Sequence, residues 1–116
     1  VLHMLRVYYT GSYKAPRELN WVVGVLLGLL TLFAGYTGYV LRWDQEAVGA
    51  SGIGQGIALS IPYLGSLIGA VLWGRGHAET LLRYSASHML LIPGVMVILM
   101  AIHFWMVRRH GISGPL

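Results

Sequence analysis

The sequence has no cysteine and little charge. Without cysteine, this segment forms no disulfide, no thiolate metal site and no covalent c-type haem attachment. Only 10% of its 116 residues are charged, whereas a soluble domain carries about 25%. Because 56% of the residues are hydrophobic, the chain needs lipid or a large partner to cover its apolar surface. We therefore expect an integral membrane protein.

The sequence also lacks the signatures of several other protein classes. It contains no P-loop, no nucleophile triad and no carboxylate pair. The net charge is +4, but the basic residues are scattered and form no basic helix face, so we do not expect nucleic acid as a partner. The chain begins Val-Leu-His with no initiator methionine and no signal-peptide pattern, which predicts a fragment whose first helix or helices are missing.

Two stretches are apolar and long enough to cross a bilayer. Residues 21–41 carry no charge and match the roughly 20 residues that a spanning helix needs. Trp21 and Trp43 bracket this stretch, as interfacial aromatic residues do. Residues 84–107 form the second predicted span, with a kink expected at Pro93. Residues 1–9 are predicted to be the end of another transmembrane helix, followed by a polar loop.

The remaining segment, residues 42–83, contains only short apolar runs, at 56–61 and 67–73. Neither run can span a bilayer, so we expect two short helices that lie in the interface or pack on the spanning helices. We expect the whole chain, 1–116, to form a single transmembrane domain.

The charges of the loops predict an orientation. The first loop and the two chain ends hold five basic residues and one acidic residue, whereas the 42–83 segment has three arginines and three acidic residues. The positive-inside rule places the first loop and the C-terminus on the cytoplasmic side.

His88 and His103 lie 15 residues apart in the second predicted span. On a helix this spacing corresponds to about 60° of rotation and about 22 Å of rise. A histidine within a span is costly and indicates function, and neutral imidazole is a standard haem ligand. The two rings suit two stacked cofactors, one near each membrane surface, and His3 is placed to face His103 from another helix. The alternative is that each histidine packs between helices and bonds a backbone carbonyl.

Gly24 and Gly38 on the first span lie 14 residues apart, close to the histidine spacing. Glycine lets a flat ring lie against the helix backbone, although helix packing through small residues is the alternative. Arg6 and Arg83 are predicted near the membrane surfaces, where guanidinium groups suit haem propionates; ordinary interfacial arginines are the alternative. We expect His77 and His110 to be exposed.

Several segments together resemble the cytochrome b/b6 family. They are residues 3–24 (HMLRVYYTGSYKAPRELNWVVG), 38–45 (GYVLRWDQ), 60–65 (SIPYLG), the region around His88 and His103, and the ending 111–116 (GISGPL). The resemblance covers nearly the whole chain in order, and the histidine spacing and the ending are similar to the shorter, b6-type version. It implies that residues 1–9, 21–41 and 84–107 belong to a four-helix transmembrane bundle.

The resemblance implies two b haems. His3 and His103 would ligate the high-potential haem on the negative side. His88 and a histidine upstream of this fragment would ligate the low-potential haem on the positive side. The residues that would neighbour the first haem are Arg6, Arg17, Trp21 and Gly24, and those that would neighbour the second are Gly38 and Arg83.

The implied function is that of an electron-transfer subunit, not catalytic alone, in a quinol-oxidising complex. Quinol would be oxidised on the positive side, with one electron crossing to quinone on the negative side and the other passing to an iron–sulfur protein, which couples the reaction to proton translocation. The implied partners are membrane lipid, that iron–sulfur protein, a c-type cytochrome and a separate subunit with the remaining helices, in a dimeric complex of the bacterial cytoplasmic membrane.

The chain departs from the family near the expected quinol pocket. Arg42 stands where the family usually has proline, and residues 46–49 (EAVG) stand where aromatic residues usually follow Asp-Gln. Tyr39 and Arg108 are the candidates for contact with quinone. Two alternatives stay open: a dihaem membrane anchor that passes electrons between quinone and another enzyme, and a non-redox structural subunit.

Overall fold

The computed structural model describes residues 1–112, and within this range the chain is helical with no strand. The elements, in chain order, are α1 (Leu2–Thr10), α2 (Glu18–Leu41), α3 (Gln45–Leu59), α4 (Gly65–Trp73), α5 (His77–Ala86), a π-helical turn (Ser87–Leu91) and α6 (Ile92–His110). The predicted all-α fold is confirmed. Of the ending that supported the family resemblance, residues 113–116 lie outside the described residues.

Two helical segments are long and apolar enough to cross a membrane. They are α2, with 24 residues, and the continuous run His77–His110, with 34 residues. Each begins before the apolar stretch seen in the sequence, at Glu18 rather than residue 21 and at His77 rather than residue 84. The extensions are polar but compatible with a helix, and Glu18 and Glu79 each place an acidic side chain in a first turn, where the helix dipole favours it.

The second long helix contains a π-helical turn that ends at Leu91, two residues before Pro93. The N–H of Ile92 donates to the carbonyl of Ser87, five residues earlier rather than four. In an α-helix the ring of a proline clashes with the carbonyl four residues before it, and a widened turn relieves such crowding. The sequence predicts a kink at Pro93. The structure shows a change from α-helix to π-helix just before this residue, and the π-helical turn includes His88.

The chain divides into two compact units. The first comprises residues 1–31 and the chain from Gly94 onward. In it, α1 ends at Gly11, whose φ of 67° is the left-handed conformation that glycine adopts readily. The side chain of Arg17 donates from Nε to the carbonyl of Gly111 at 3.2 Å and so ties the polar loop to the residue after α6.

The second unit comprises Leu32–Pro93 and has its own small core. Val40, Ala58, Trp73 and Tyr84 are buried together there. The indole N–H of Trp73 donates to the buried Ser51 hydroxyl at 3.0 Å, so α3 and α4 are joined by a satisfied polar contact as well as by apolar packing.

Gly65, at the start of α4, predicts a measurable stability effect. A Cβ added there would lie 2.7 Å from the Leu59 carbonyl oxygen and 2.8 Å from that of Ala58, both backbone atoms. We expect Gly65→Ala to lower the free energy of unfolding by about 1–3 kcal/mol. The measurement is unfolding of the detergent-solubilised protein followed by circular dichroism.

The control for that variant is Gly56→Ala in α3, where the added carbon would meet no described atom within 4 Å apart from its chain neighbours and the backbone of its own helix. This change removes a helix glycine and is expected to raise stability by about 0.5–1 kcal/mol. Equal stability of the two variants would contradict the close approach of α4 to the end of α3.

Candidate functional site

In the first unit, three helices meet around the ring of His103. The His103 and His3 rings lie 6.3 Å apart between centroids, with an angle of 87° between their planes. A Cβ added to Gly24 of α2 would lie 3.4 Å from Cε1 of His103. The structure therefore brings together His3, His103 and Gly24, which the sequence predicted as one site.

Two buried polar atoms near His103 make no hydrogen bond of ordinary geometry. They are Nδ1 of the half-buried His103 ring and Oδ1 of Asn20, and the backbone of Asn20 lies near the same ring. Buried polar atoms are normally hydrogen-bonded, so each exception needs an explanation. The two facing imidazoles suit a group that takes imidazole ligands.

The other residues predicted at this site lie in the same unit. Nη1 of Arg6 donates to the Ser12 hydroxyl at 3.3 Å, and Arg17 makes the contact with Gly111 described above. The Trp21 side chain is 49% exposed. Arg6 lies in α1, Arg17 in the loop before α2 and Trp21 in the first turn of α2. These three residues are at the polar border of this unit.

In the second unit, the His88 ring lies directly against the backbone of α2. A Cβ added to Gly38 would lie 2.8 Å from Cε1 and 3.3 Å from Nε2 of His88. The Thr37 hydroxyl lies 3.1 Å from Nδ1 of the same ring. The structure brings His88 and Gly38 together, and it adds Thr37, which sequence reasoning missed although it directly precedes Gly38.

Arg83 lies one helical turn before the π-helical turn, and its guanidinium binds the end of α4. Nη1 donates to the carbonyls of Val71 and Ala70, and Nη2 lies 3.8 Å from a carboxylate oxygen of Glu79. A cation at a helix C-terminus is favourable because the last carbonyls there carry partial negative charge. This role in joining α4 to α5 was not evident from the sequence.

The residues of the proposed quinone region near the end of α2 form a small charged cluster. The Tyr39 hydroxyl donates to Oε2 of Glu46 at 3.2 Å, and the Arg42 guanidinium lies 4.3 Å from the centre of the Tyr39 ring. Arg42 also pairs with Asp44 at 3.5 Å and Glu46 at 3.9 Å. Arg42, where the resemblance leads us to expect proline, therefore contacts Glu46 of the 46–49 stretch. The turn between α2 and α3 separates the two residues, so helical spacing did not predict this contact.

The remaining candidates lie on exposed surfaces. Arg108 is exposed near the end of α6, beside Arg109, whose guanidinium lies 5.4 Å from the centre of the Trp105 ring. His77 is exposed as predicted, but its ring also lies 5.1 Å from that of Trp43, on a cavity of about 410 Å³. His110 is half-buried rather than exposed. No group of three or more metal-ligating side chains occurs in the described part of the chain; haem iron does not require one, because two axial ligands suffice.

Comparison with known proteins identifies the family. The family described as cytochrome b (N-terminal)/b6/petB matches residues 1–116 of the chain. The chain belongs to the cytochrome b/b6 family. The resemblance that the sequence motifs indicated is thereby confirmed, and the two long apolar helices together with the family support an integral membrane protein.

Curated relatives of the cytochrome b/b6 family match nearly the whole chain. The menaquinol:cytochrome c reductase cytochrome b subunit of Geobacillus thermodenitrificans is 47% identical over 118 residues, covering 99% of this chain and 53% of the relative. Cytochrome b6 of Mastigocladus laminosus is 44% identical and that of Gloeobacter violaceus 47%, each covering all of this chain and 55% of the relative. The chain thus spans about half the length of the curated relatives it matches.

The cytochrome b/b6 family implies haem b, and the residues described above fit such a group. Each unit has a half-buried histidine ring packed against a glycine of α2, and this close approach requires a residue without a side chain at that position. In the first unit a second imidazole faces the first. The donor set is imidazole alone, which is the usual ligation of b-type haem iron.

Proposed function

We propose that this chain is part of a dihaem cytochrome b subunit of a quinol-oxidising cytochrome bc-type complex, carrying electrons across the membrane. The observation that supports this most directly is the repeated pairing of a histidine with a glycine of α2: His103 with Gly24 in one unit and His88 with Gly38 in the other. One such pair is common helix packing, whereas two at matched sequence spacings favour two cofactor sites.

In the first unit, His3 and His103 would ligate one haem b, the higher-potential one. Gly24 would leave room for the ring against α2. Arg6 and Arg17 lie at the polar border, where guanidinium groups can bind propionate carboxylates. Trp21 would close the same side with an aromatic surface.

In the second unit, His88 would supply one ligand of the lower-potential haem b, and a histidine outside this chain would supply the other. Gly38 would allow the haem ring to lie close to the backbone of α2, and Arg83 would line the site from α5. When bound, haem b accepts and donates single electrons at its iron. This chain would supply histidine ring nitrogens as ligands and fix the orientation of each histidine. Its apolar helix faces would exclude water from the site.

The names of the relatives support the substrates and partners that we propose. The name of the Geobacillus relative states a menaquinol donor and a cytochrome c acceptor. We infer quinol as the substrate here, with quinone contacts at Tyr39 on one side and Arg108 on the other. The partners are an iron–sulfur protein, a c-type cytochrome and a separate subunit with the remaining helices, in a dimeric complex coupled to proton translocation. The location is the bacterial cytoplasmic membrane, with the first loop and C-terminus facing the cytoplasm, and the chain is not catalytic alone.

The second candidate is a dihaem membrane anchor that passes electrons between quinone and another enzyme. It is favoured by the ion pair of Arg42 with Glu46, which places charges in the stretch where the resemblance leads us to expect proline and, after Asp-Gln, aromatic residues. Co-purification of an iron–sulfur subunit favours the first candidate. A non-redox structural subunit, the third, predicts no visible absorption.

A reduced-minus-oxidised spectrum with a redox titration of the full-length subunit in its complex tests the proposal. We expect two b-type components of different potential. His88→Ala should remove the lower-potential component completely, because an alanine leaves that haem without one of its two ligands. The control is His77→Ala, which changes an exposed histidine of the same long helix and should leave both components.

Loss of neither component in His88→Ala would contradict the ligand assignment. A folded preparation without any b-type band would exclude both haem-binding candidates and leave the structural one.

A further inference from the structure

Thr37 holds an unusual position between a backbone carbonyl and the His88 ring. It is fully buried in α2, with 0% of its surface exposed. Its Oγ1 lies 3.0 Å from the carbonyl oxygen of Ala34, one turn earlier, and 3.1 Å from Nδ1 of His88. The hydroxyl therefore makes two polar contacts at hydrogen-bond distance at once.

Counting protons decides the direction of these two contacts. A carbonyl oxygen only accepts, and a threonine hydroxyl has one proton to donate but two lone pairs to accept with. Both contacts are hydrogen bonds only if Thr37 donates to Ala34 and Nδ1–H of His88 donates to Thr37. If Thr37 donated to the ring instead, its oxygen and that of Ala34 would face each other at 3.0 Å with no proton between them.

We propose that Thr37 is a positioning residue that accepts a hydrogen bond from Nδ1–H of His88 and so leaves Nε2 of that ring as the nitrogen that binds iron. Gly38 does not distinguish the two ring nitrogens, because a Cβ added there would lie 3.3 Å from Nε2 and 3.4 Å from Nδ1. The contact with Thr37 makes the distinction. The second ring nitrogen of a metal-bound histidine usually donates to such an acceptor, which fixes the tautomer and raises the basicity of the ligand. This inference rests on the proposed function, because it concerns the His88 haem.

The hydrogen bond has a consequence for the redox equilibrium. A more basic imidazole donates more strongly to iron and stabilises the oxidised form, so it lowers the potential. Removing the acceptor should therefore raise the midpoint potential of the lower-potential component. We expect a change of roughly threefold to tenfold in the reduction equilibrium constant, up to about 59 mV for one electron.

The experiment is a redox titration of the complex, with electron paramagnetic resonance of the oxidised low-spin haem, in four forms of the full-length subunit. Thr37→Val removes the hydroxyl at nearly constant shape, and Thr37→Ser keeps it. Thr31→Val is the matched control, because Thr31 is also on α2 and its hydroxyl donates to the carbonyl of Leu27 at 2.9 Å. Wild-type protein is the reference.

We expect Thr37→Val alone to raise the potential and shift the low-spin resonance, or to lose this component selectively, with Thr37→Ser and Thr31→Val like wild type. An unchanged potential and resonance in Thr37→Val would overturn the inference, as would an equal shift in Thr31→Val. If Thr37→Val does not assemble, Thr37→Ala is judged by the same criteria.

The His88→Ala variant separates failure of this inference from failure of the proposed function. If His88→Ala leaves both components, the proposed function fails. If His88→Ala removes one component but Thr37→Val has no effect, only this inference fails.

Discussion

His103→Ala is expected to abolish the higher-potential b component and to leave the lower-potential one at its normal potential. The half-buried His103 ring faces His3 and the backbone of α2 at Gly24. An alanine removes one of the two proposed axial ligands, and loss of a ligand costs the site most of its affinity for the group. His3→Ala should produce the same loss, because both rings serve one haem.

Haem content per chain, together with the redox titration, measures this effect. We expect the content to fall from two haems to one in either variant. The matched control is His110→Ala, which changes the last histidine of the same helix, α6, and should retain both. If His3→Ala and His103→Ala removed different components, the two rings would not share a site and the assignment in the first unit would be wrong.

Gly38→Val is expected to remove the lower-potential component without changing any ligand. Even a Cβ at this position would lie 2.8 Å from Cε1 and 3.3 Å from Nε2 of His88, and the valine methyl groups extend further toward the ring. The side chain would therefore displace the imidazole or occupy the space beside Nε2 that a planar ring needs. Overpacking of this kind is relieved by rotating the His88 ring out of its position or by moving one of the two helices.

The control for Gly38→Val is Gly35→Val, on the same helix. Apart from its chain neighbours and the backbone of its own helix, no described atom lies within 4 Å of a Cβ added to Gly35. The substitution therefore tests valine in α2 without contact between that Cβ and the site. A spectrum with both components in Gly35→Val and only the higher-potential one in Gly38→Val is the expected result. Retention of both in Gly38→Val would show that the bare backbone at this position is not required.

The sequence was sufficient for the fold class and for the two pairs of histidine and glycine. Long apolar stretches predict membrane helices because lipid requires both apolar side chains and internally satisfied backbone groups. The starts of the helices at Glu18 and His77 were not predicted, since hydropathy reports the apolar window and not the helix. The bounds of the membrane spans at residues 21–41 and 84–107 remain predictions, as does the single transmembrane domain.

Contacts between residues distant in sequence could not be predicted. Thr37 meets a ring 51 positions away, and nothing in its neighbours indicates that partner. Arg83 illustrates the same limit: an arginine near a membrane surface suggests an anionic group, but the structure shows it on the carbonyls that end α4. Side-chain identity restricts the kind of partner, whereas the tertiary fold decides which partner is reached.

The π-helical turn at Ser87–Leu91 has a consequence for how this helix tolerates changes in length. A π-helical turn is equivalent to one residue inserted into an α-helix, with the extra residue absorbed within a single turn. Removing one residue there would restore ordinary α-helical hydrogen bonding without breaking the helix. Relatives that differ by a single insertion or deletion in this stretch can therefore share one helix, and an alignment that allows no gap there would misplace the residues on one side of it.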